Sequence, residues 1–185
     1  MSKFNFIKMD IEDMYIIEPS VYGDDRGYFM ETYNKEEFNH AGLTMNFVQD
    51  NQSKSKKGVL RGLHFQKEHP QGKLVRVLSG KVFDVGVDLR SASETYGQWQ
   101  GVILSGENKK QFYVPEGFAH GFLVLSDTAT FSYKCTDFYH PEDEGGIIWD
   151  DRDININWPL EDIDKILLSD KDKELSSLAE TKFKF

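Results

Sequence analysis

Short segments in which apolar and polar residues alternate recur along most of the chain. The stretch from Val59 to Arg90 is dense in β-forming residues, and its polar positions hold His64, Gln66, Lys73 and Arg76. Strands with this alternation pack one face and leave the other for solvent or a ligand. Because these polar groups can move protons and bind anions, the pattern favours a ligand-binding barrel over a plain scaffold.

Strand-like segments divided by Gly, Pro, Asp and Asn turns follow one another at intervals of roughly 8 to 12 residues. Other expected features are a starting strand within residues 1–20 that breaks at Pro19, a turn between Gly23 and Gly27, a strand through 47–51, a polar loop at 53–58 and a last strand at 147–149. Short helices are expected at 35–42, capped by Asn34, and over 170–180, capped by Ser169. The spacing predicts an all-β jelly-roll barrel or sandwich with a few short peripheral helices, in one domain spanning residues 1–185.

Composition and charge narrow the class of protein. With 39% hydrophobic and 14% aromatic residues among 185, the chain is expected to be compact and globular. A net charge of −9 argues against a general nucleic-acid surface but leaves room for a small anionic ligand. The single Cys135 cannot form an internal disulfide, and no apolar run approaches the ~20 residues of a membrane span. A cytoplasmic protein without a signal peptide is therefore expected.

The segment PEGFAHG, Pro115 to Gly121, fits the Pro-x-Gly-x-x-His turn of cupin barrels. Gly117 permits the tight turn and His120 can point into the barrel mouth, although a hairpin with a packed histidine explains this motif equally well. A metal-binding cupin would need a His-x-His pair and a glutamate, where this chain has His64-Phe65-Gln66 and Lys73. Since a cation would repel a divalent ion, no metal site is expected.

Eight segments together resemble one family. They are DDRGYFMETY, VQDNQS, VLRGLHFQ, QGKLVRVLSGKVFDVGVDLR, PEGFAHGFLVLS, YKCTDFY, EGGIIWDD and LSDKD. In this order they are similar to the signature segments of the dTDP-4-dehydrorhamnose 3,5-epimerase family. The resemblance implies a cupin-type jelly roll, usually a homodimer, that acts without metal or nicotinamide on a nucleotide-linked 4-keto sugar.

Such a reaction needs a base, an acid on the opposite face of the sugar and a donor for the enolate oxygen. His64 is the best base because imidazole has a pKa of ~6.5, although a structural histidine on a strand is the alternative. The resemblance assigns the acid to Tyr133 and places Lys73 beside the oxyanion. Without the family, these two would be an ordinary core or rim tyrosine and a solvated lysine.

The resemblance also gives His64 a carboxylate partner, Asp172, which would fix its tautomer and raise its basicity. Ser169 followed three residues later by Asp172 equally resembles a helix capping box. Asp170 is the rival partner if the alignment is off by two residues.

Substrate contacts are expected from two sources. Arg26 and Arg61 suit a pyrophosphate because a guanidinium fork matches phosphate oxygens, though most surface arginines are inert. The resemblance adds Glu31, Gln49, Asn51, His120, Glu144 and Lys171 as contacts, with Tyr139 and Phe29 as stacking surfaces for the base. It further implies that the segment around Arg26 reaches the site of a partner subunit.

Arg61 and His64 differ in strand parity, so an ideal strand would point them to opposite faces. Both can line one pocket only if Gly62 lies in a bulge or bend, which glycine allows.

The leading hypothesis is an isomerase that epimerises C3 and C5 of dTDP-4-dehydro-6-deoxyglucose for dTDP-rhamnose synthesis. A C3-only epimerase stays open, because the pose of the sugar decides how many protons exchange. A 3,4-ketoisomerase would change the acid and base, and a non-catalytic sugar-binding cupin could lose His64 or Tyr133. The polysaccharide that uses the product is left open by the sequence.

Overall fold

The chain folds almost entirely into antiparallel β-strands. The computed structural model describes residues 2–181, 183 and 185. The strands are β1 (Phe4–Lys8), β2 (Tyr15–Pro19), β3 (Tyr22–Asp24), β4 (Gly27–Phe29), β5 (Gln49–Lys56), β6 (Leu60–Gln66), β7 (Lys73–Ser79), β8 (Lys81–Asp88), β9 (Trp99–Ser105), β10 (Gln111–Val114), β11 (Phe118–Val124), β12 (Thr128–Cys135) and β13 (Glu144–Gly146). Helices α1 (Lys35–His40) and α2 (Asp170–Lys173) and a 3-10 turn at Pro141–Asp143 accompany them. Within this described part, no helix has the length and apolar character needed to cross a membrane.

Two stacked sheets form the barrel. One has the order β1-β2-β10-β7-β12-β5 and the other the order β13-β6-β11-β8-β9, while β3 and β4 make a separate hairpin. The sheets pack through apolar side chains, with Val75 and Phe112 of the first meeting Val82 and Phe122 of the second in one buried cluster. Burying one apolar face of each sheet is what holds such a sandwich together. The predicted all-β jelly roll is confirmed.

Alternation in β7 and β12 decides which side chains enter the barrel. Val75 and Phe131 are buried in the core between the sheets. Tyr133 lies opposite Val75 in the strand register, and Lys73 is two residues from Val75 on the same face. Arg76 has the other parity and faces outward. The apolar core therefore gives way to polar side chains at one end of the barrel.

Strand β6 is irregular at Gly62, as the differing strand parity of Arg61 and His64 required. The pairing of β6 with β11 shifts register there, and Gly62 has a φ of 110°. A Cβ at this position would lie 2.6 Å from the carbonyl oxygen of His120 and 2.7 Å from the Cα of Gly121. Only glycine fits this close approach of two backbones. The predicted irregularity is confirmed, and Arg61 and His64 both line one cavity.

The segment after β13 covers the outer face of the five-stranded sheet. Trp158 and Ile154 pack there against Val85 and Leu123. An isolated parallel bridge between Val59 and Leu167 fixes the end of this segment beside β6. This path carries α2 to the mouth of the barrel.

Three predicted elements were wrong in their bounds. The closing helix ends at Lys173, because Leu175 packs over Gly146 and Ser176 forms a bridge with Ile147 instead of continuing the helix. The last strand is β13, directly before the predicted 147–149. The polar loop at 53–58 is largely strand. As an edge strand, β5 tolerates the exposed Lys54 and Lys56, while Ser53 and Ser55 lie on its more buried face.

Candidate active site

A cavity of about 590 Å³ opens between the two sheets at the polar end of the barrel. Its lining comes from β5, β6, β7, β11 and β12, from β13 and the loop before it, and from the segment around α2. The lining residues are Ser53, Lys56, Val59, Leu60, Arg61, His64, Lys73, His120, Gly121, Phe122, Phe131, Tyr133, Tyr139, Glu144, Leu167, Leu168, Ser169, Lys171 and Asp172.

His64 and Asp172 form a hydrogen-bonded pair on one wall. Nε2 of His64 lies 2.5 Å from Oδ1 of Asp172, whose side chain is only 4% exposed. The other carboxylate oxygen accepts a hydrogen bond of 2.7 Å from the Ser169 hydroxyl. Burial alone would raise the pKa of Asp172, but the hydrogen bonds from His64 and Ser169 outweigh burial and hold it below its usual value. An ionised carboxylate accepts a hydrogen bond from Nε2–H of His64, which leaves Nδ1 as the basic nitrogen of the ring.

Asp172 also takes part in the cap of α2, because its backbone N–H donates to the Ser169 hydroxyl at 3.1 Å. Both interpretations of the Ser169–Asp172 spacing therefore hold at once. Asp170, the rival partner, has a side chain that is 96% exposed and pairs with Lys173 at 2.7 Å. The structure brings Asp172, not Asp170, to His64.

Lys73 enters the cavity from the opposite sheet. Among the described residues its ammonium has no hydrogen-bond or ion-pair partner. Burial lowers the pKa of Lys73, and the neighbouring Cys135, Glu144 and Asp84 offset this only in part. An ammonium without a partner beside a cavity is suited to an anionic ligand or a developing oxyanion.

Tyr133 lies on the neighbouring strand β12, on the same inner face as Lys73. It pairs with Val75, which is two residues from Lys73. Its ring is tilted against that of Phe131, with centroids 5.8 Å apart. Burial, helped by the nearby Cys135, raises the pKa of the Tyr133 phenol, so the hydroxyl stays protonated at neutral pH. The phenol and the ammonium thus share one sheet, and the imidazole lies on the other.

A polar cluster marks the rim. Glu144 accepts a hydrogen bond of 2.7 Å from the Tyr139 hydroxyl and also pairs with Lys171. Burial would raise the pKa of Glu144, but these two donors hold it below its usual value. Oε1 of the same carboxylate lies 3.8 Å from Nδ1 of His64.

Arg61 and His120, two further predicted residues, also line the cavity. Arg61 is exposed to it and donates to the Ser55 hydroxyl at 3.2 Å. His120 is buried in β11, and its Nε2 lies 2.8 Å from Oδ1 of Asp84. Asp84 was missed at the sequence level. The sequence feature that could have pointed to Asp84 is its charge, which lies between the apolar residues Phe83 and Val85 of β8.

Five predicted substrate contacts do not line this cavity within one chain. Gln49 and Asn51 lie opposite Cys135 and Tyr133 in the register of β5 with β12, and Gln49 accepts from the backbone N–H of Tyr139 at 3.1 Å. The other three are Arg26, which pairs with Asp24, Phe29, which is 65% exposed, and Glu31, which pairs with Lys3.

The described residues include no group of three or more His, Cys, Asp or Glu side chains placed to hold a metal ion. Chemically, the cavity offers a carboxylate-supported imidazole facing a phenol and an ammonium. Such a set can remove a proton from one face of a small molecule, supply another from the opposite face and stabilise an oxyanion between the two steps. Fold and site together define a cupin-type barrel equipped for acid–base isomerisation.

Comparison with known proteins identifies the family. The sequence model of the dTDP-4-dehydrorhamnose 3,5-epimerase family matches residues 8–180. A protein of that name from Methanothermobacter thermautotrophicus is 59% identical over 180 residues, which cover 97% of each chain. The chain belongs to the dTDP-4-dehydrorhamnose 3,5-epimerase family, as the sequence motifs predicted, and it is an enzyme of the epimerase class.

Solved structures agree with this assignment. The Legionella pneumophila 3,5-epimerase in complex with dTDP-4-keto-L-rhamnose superposes with a TM-score of 0.93 at 54% identity, covering 96% of this chain and 94% of that one. The Bacillus anthracis dTDP-4-dehydrorhamnose 3,5-epimerase with TDP and pyrophosphate bound gives 0.90 at 44% identity, covering 95% and 99%. The cupin-type fold is thus shared with one enzyme whose structure holds a dTDP sugar and another whose structure holds TDP and pyrophosphate.

Proposed function

We propose that this chain inverts C3 and C5 of dTDP-4-dehydro-6-deoxyglucose to give dTDP-4-dehydrorhamnose, a step of dTDP-rhamnose synthesis. The observation that carries the proposal is the placement of His64 on one wall of the cavity and of Tyr133 and Lys73 on the other. The names of the relatives and their bound ligands support the substrate class.

His64 acts as the base through Nδ1. The ketone at C4 acidifies the C–H bonds at C3 and C5, so a neutral imidazole beside either carbon can remove the proton. As the ring becomes an imidazolium, the buried carboxylate of Asp172, 2.5 Å from Nε2, stabilises its charge. In this proposal Asp172 has two tasks, orienting the ring and favouring its protonated form.

Lys73 stabilises the enolate oxygen, and Tyr133 returns a proton from the opposite face. The ammonium has no partner among the described residues, so the oxyanion supplies the negative charge that its surroundings lack. The raised pKa of Tyr133 keeps its proton available for donation. Because base and acid belong to different sheets, removal and return occur on different faces of the sugar, which is inversion.

The nucleotide binds at the rim. Arg61 presents a guanidinium to the pyrophosphate, and Lys171 adds a second cation there. Tyr139, half exposed and held by Glu144, offers its ring as a stacking surface for thymine. Gln49, Asn51 and His120 complete the expected polar contacts to the substrate.

The active form is a homodimer in which the β3–β4 hairpin of one subunit completes the cavity of the other. Arg26 at the tip has a side chain that is 90% exposed, and Tyr22, Tyr28 and Phe29 leave a large aromatic surface uncovered. Glu31 follows the hairpin and travels with it. Exposed aromatic rings beside an arginine are typical of surfaces that bind a partner.

Mixing two inactive variants tests this arrangement. Arg26→Ala removes the tip cation and His64→Ala removes the base, so each homodimer is inactive or weak. After subunit exchange, a heterodimer has one cavity with both groups intact, and an equal mixture recovers about a quarter of the wild-type activity. Without recovery in a mixture proved to contain heterodimers, Arg26 does not act on the partner's site.

The reaction itself is tested by incubating the enzyme with dTDP-4-keto-6-deoxyglucose in heavy water and reading deuterium at C3 and C5 by NMR. Wild type incorporates deuterium at both carbons, and His64→Ala incorporates it at neither. Near-normal incorporation in His64→Ala would mean that another group is the base.

The absence of a metal or nicotinamide cofactor, the cytoplasmic location and the single-domain organisation stay predictions.

A further inference from the structure

Gln66 is a buried amide at the end of β6 to which the proposed reaction gives no task. It takes the place that the second histidine of a His-x-His pair has in a metal-binding cupin. The residue is only 3% exposed and is not among those that line the cavity. Burying an amide is costly unless its polar atoms find partners. The partners of Gln66 therefore show what the side chain holds in place.

The Gln66 amide binds main-chain groups of two loops. Its Nε2 donates to the carbonyl oxygen of Phe138 at 3.0 Å and to that of His69 at 2.7 Å. Its Oε1 accepts a hydrogen bond of 2.8 Å from the backbone N–H of His140. Phe138 and His140 flank Tyr139 in the chain, so one side chain fixes the backbone on both sides of this tyrosine.

Two further contacts hold Tyr139 itself. Its backbone N–H donates to Oε1 of Gln49 at 3.1 Å, and its hydroxyl donates to Glu144 at 2.7 Å. Glu144 lies directly opposite Gln66 in the pairing of β13 with β6. Because Gln49 belongs to the six-stranded sheet and Gln66 to the five-stranded sheet, the segment that carries Tyr139 is fixed between the two sheets. The residue still lines the cavity and is 51% exposed.

Fixing the backbone of an exposed aromatic residue matters for binding. A ligand that has to order a loop binds more weakly by the cost of that ordering. Hydrogen bonds that already hold the backbone around Tyr139 remove this cost and present the ring in one orientation. A merely structural Gln66 would instead support stability without any particular effect on nucleotide affinity.

We propose that Gln66 is a positioning residue for nucleotide binding, which holds Tyr139 in the orientation that stacks on the base. The inference rests on the proposed function, because it takes the Tyr139 ring as the stacking surface. Gln66 itself does not touch the ligand. Since His64 keeps its partner Asp172 when Gln66 is changed, binding is affected and proton transfer is not.

The first test compares Gln66→Met with Gln100→Met. Methionine keeps the length of the side chain at 66 and loses the three hydrogen bonds. The Kd for dTDP, measured by calorimetry, and the KM for the dTDP sugar therefore rise about 5- to 50-fold, while kcat changes little. Gln100 also fixes a loop, because its amide accepts from the N–H of Ile11 at 2.8 Å and donates to Asp10 at 3.1 Å. Gln100→Met lowers the melting temperature and leaves Kd and KM unchanged.

Gln66→Glu is the second variant, for use if methionine disrupts the fold. Glutamate keeps an oxygen that accepts from the His140 N–H and lacks the amide that donates to Phe138 and His69. Its Kd for dTDP also rises. A wild-type Kd for dTDP in either folded variant would overturn the inference.

Two comparisons separate positioning from structural support. Inorganic pyrophosphate has no base, so its Kd is the same in wild type and Gln66→Met. In a Tyr139→Ala background, Gln66→Met weakens dTDP binding little further, because the ring that Gln66 positions is gone. Equal losses of pyrophosphate and dTDP affinity, or a loss that persists in full without Tyr139, would overturn the inference. A wild-type enzyme that leaves the sugar unexchanged in heavy water would overturn the proposed function, while the dTDP titrations would still decide the task of Gln66.

Discussion

Replacing Asp172 with asparagine removes one charge from the site and changes almost nothing else. The side chain is buried, touches Nε2 of His64 at 2.5 Å and accepts from the Ser169 hydroxyl at 2.7 Å. Asparagine keeps this shape, so the fold is preserved. What it loses is the attraction between the carboxylate and the imidazolium that forms when His64 takes the proton.

The size of the loss follows from the contact. Two unit charges with centres about 4 Å apart interact by about 4 kcal/mol at the effective dielectric constant of roughly 20 that suits protein sites. Since each 1.36 kcal/mol is about tenfold in rate, the upper limit is about 1,000-fold. The amide dipole of asparagine retains part of the interaction, so we expect deuterium exchange at C3 and C5 to slow by about 100- to 1,000-fold.

Asp170→Asn is the matched control, since Asp170 lies two residues away, is exposed and pairs only with Lys173. It should exchange at the wild-type rate in the same heavy-water NMR assay. Equal losses in both variants would show that the charge of the segment matters rather than the pair. A wild-type rate in Asp172→Asn, with His64→Ala inactive, would refute the role of the carboxylate.

The same variant has a pH signature in stability. The folded pKa of Asp172 lies below the unfolded value of 3.8, so the carboxylate stabilises the fold above that pH. This stabilisation disappears as the pH falls through the folded pKa. The difference in urea midpoint between wild type and Asp172→Asn should therefore be full near neutral pH and shrink below pH 3.8.

Two further perturbations probe the frame of the site. Lys73→Met removes a buried ammonium without a described partner, so exchange should slow about 100- to 1,000-fold while the melting temperature holds or rises; unchanged exchange would contradict an oxyanion role. Gly62→Ala puts a Cβ 2.6 Å from the His120 carbonyl oxygen and should destabilise the fold by about 1–3 kcal/mol in urea titrations. Gly42→Ala, where φ is also positive but nothing lies within 4 Å, should cost less, and equal losses would remove the clash as the cause.

Strand alternation was sufficient to predict the barrel and part of its lining. The conflicting parity of Arg61 and His64 required the irregularity found at Gly62, and this inference succeeded because period-two geometry is local and leaves few choices. Of the polar positions grouped in the stretch from Val59 to Arg90, His64 and Lys73 line the cavity, whereas Arg76 has the other parity and faces away from it.

The rest depended on contacts that no local pattern encodes. The Ser169–Asp172 spacing could not distinguish a helix cap from a partner for His64, and the structure shows both. Asp84 looked like a stray charge in a strand because its partner His120 lies 36 residues away. The closing helix was overpredicted since packing over Gly146 outweighs local helix propensity. The roles given to the site residues stay predictions.

The central claim is that base and acid approach the sugar from different sheets, and Tyr133→Phe tests it most directly. The variant keeps His64 and Lys73, so in heavy water it should still exchange protons at the carbon facing the base. Without the phenol, a deuteron is delivered to the same face from which the proton was removed, and the sugar keeps its configuration. Deuterated but uninverted sugar is the predicted result. Equal loss of exchange and inversion would contradict a dedicated acid on the opposite wall.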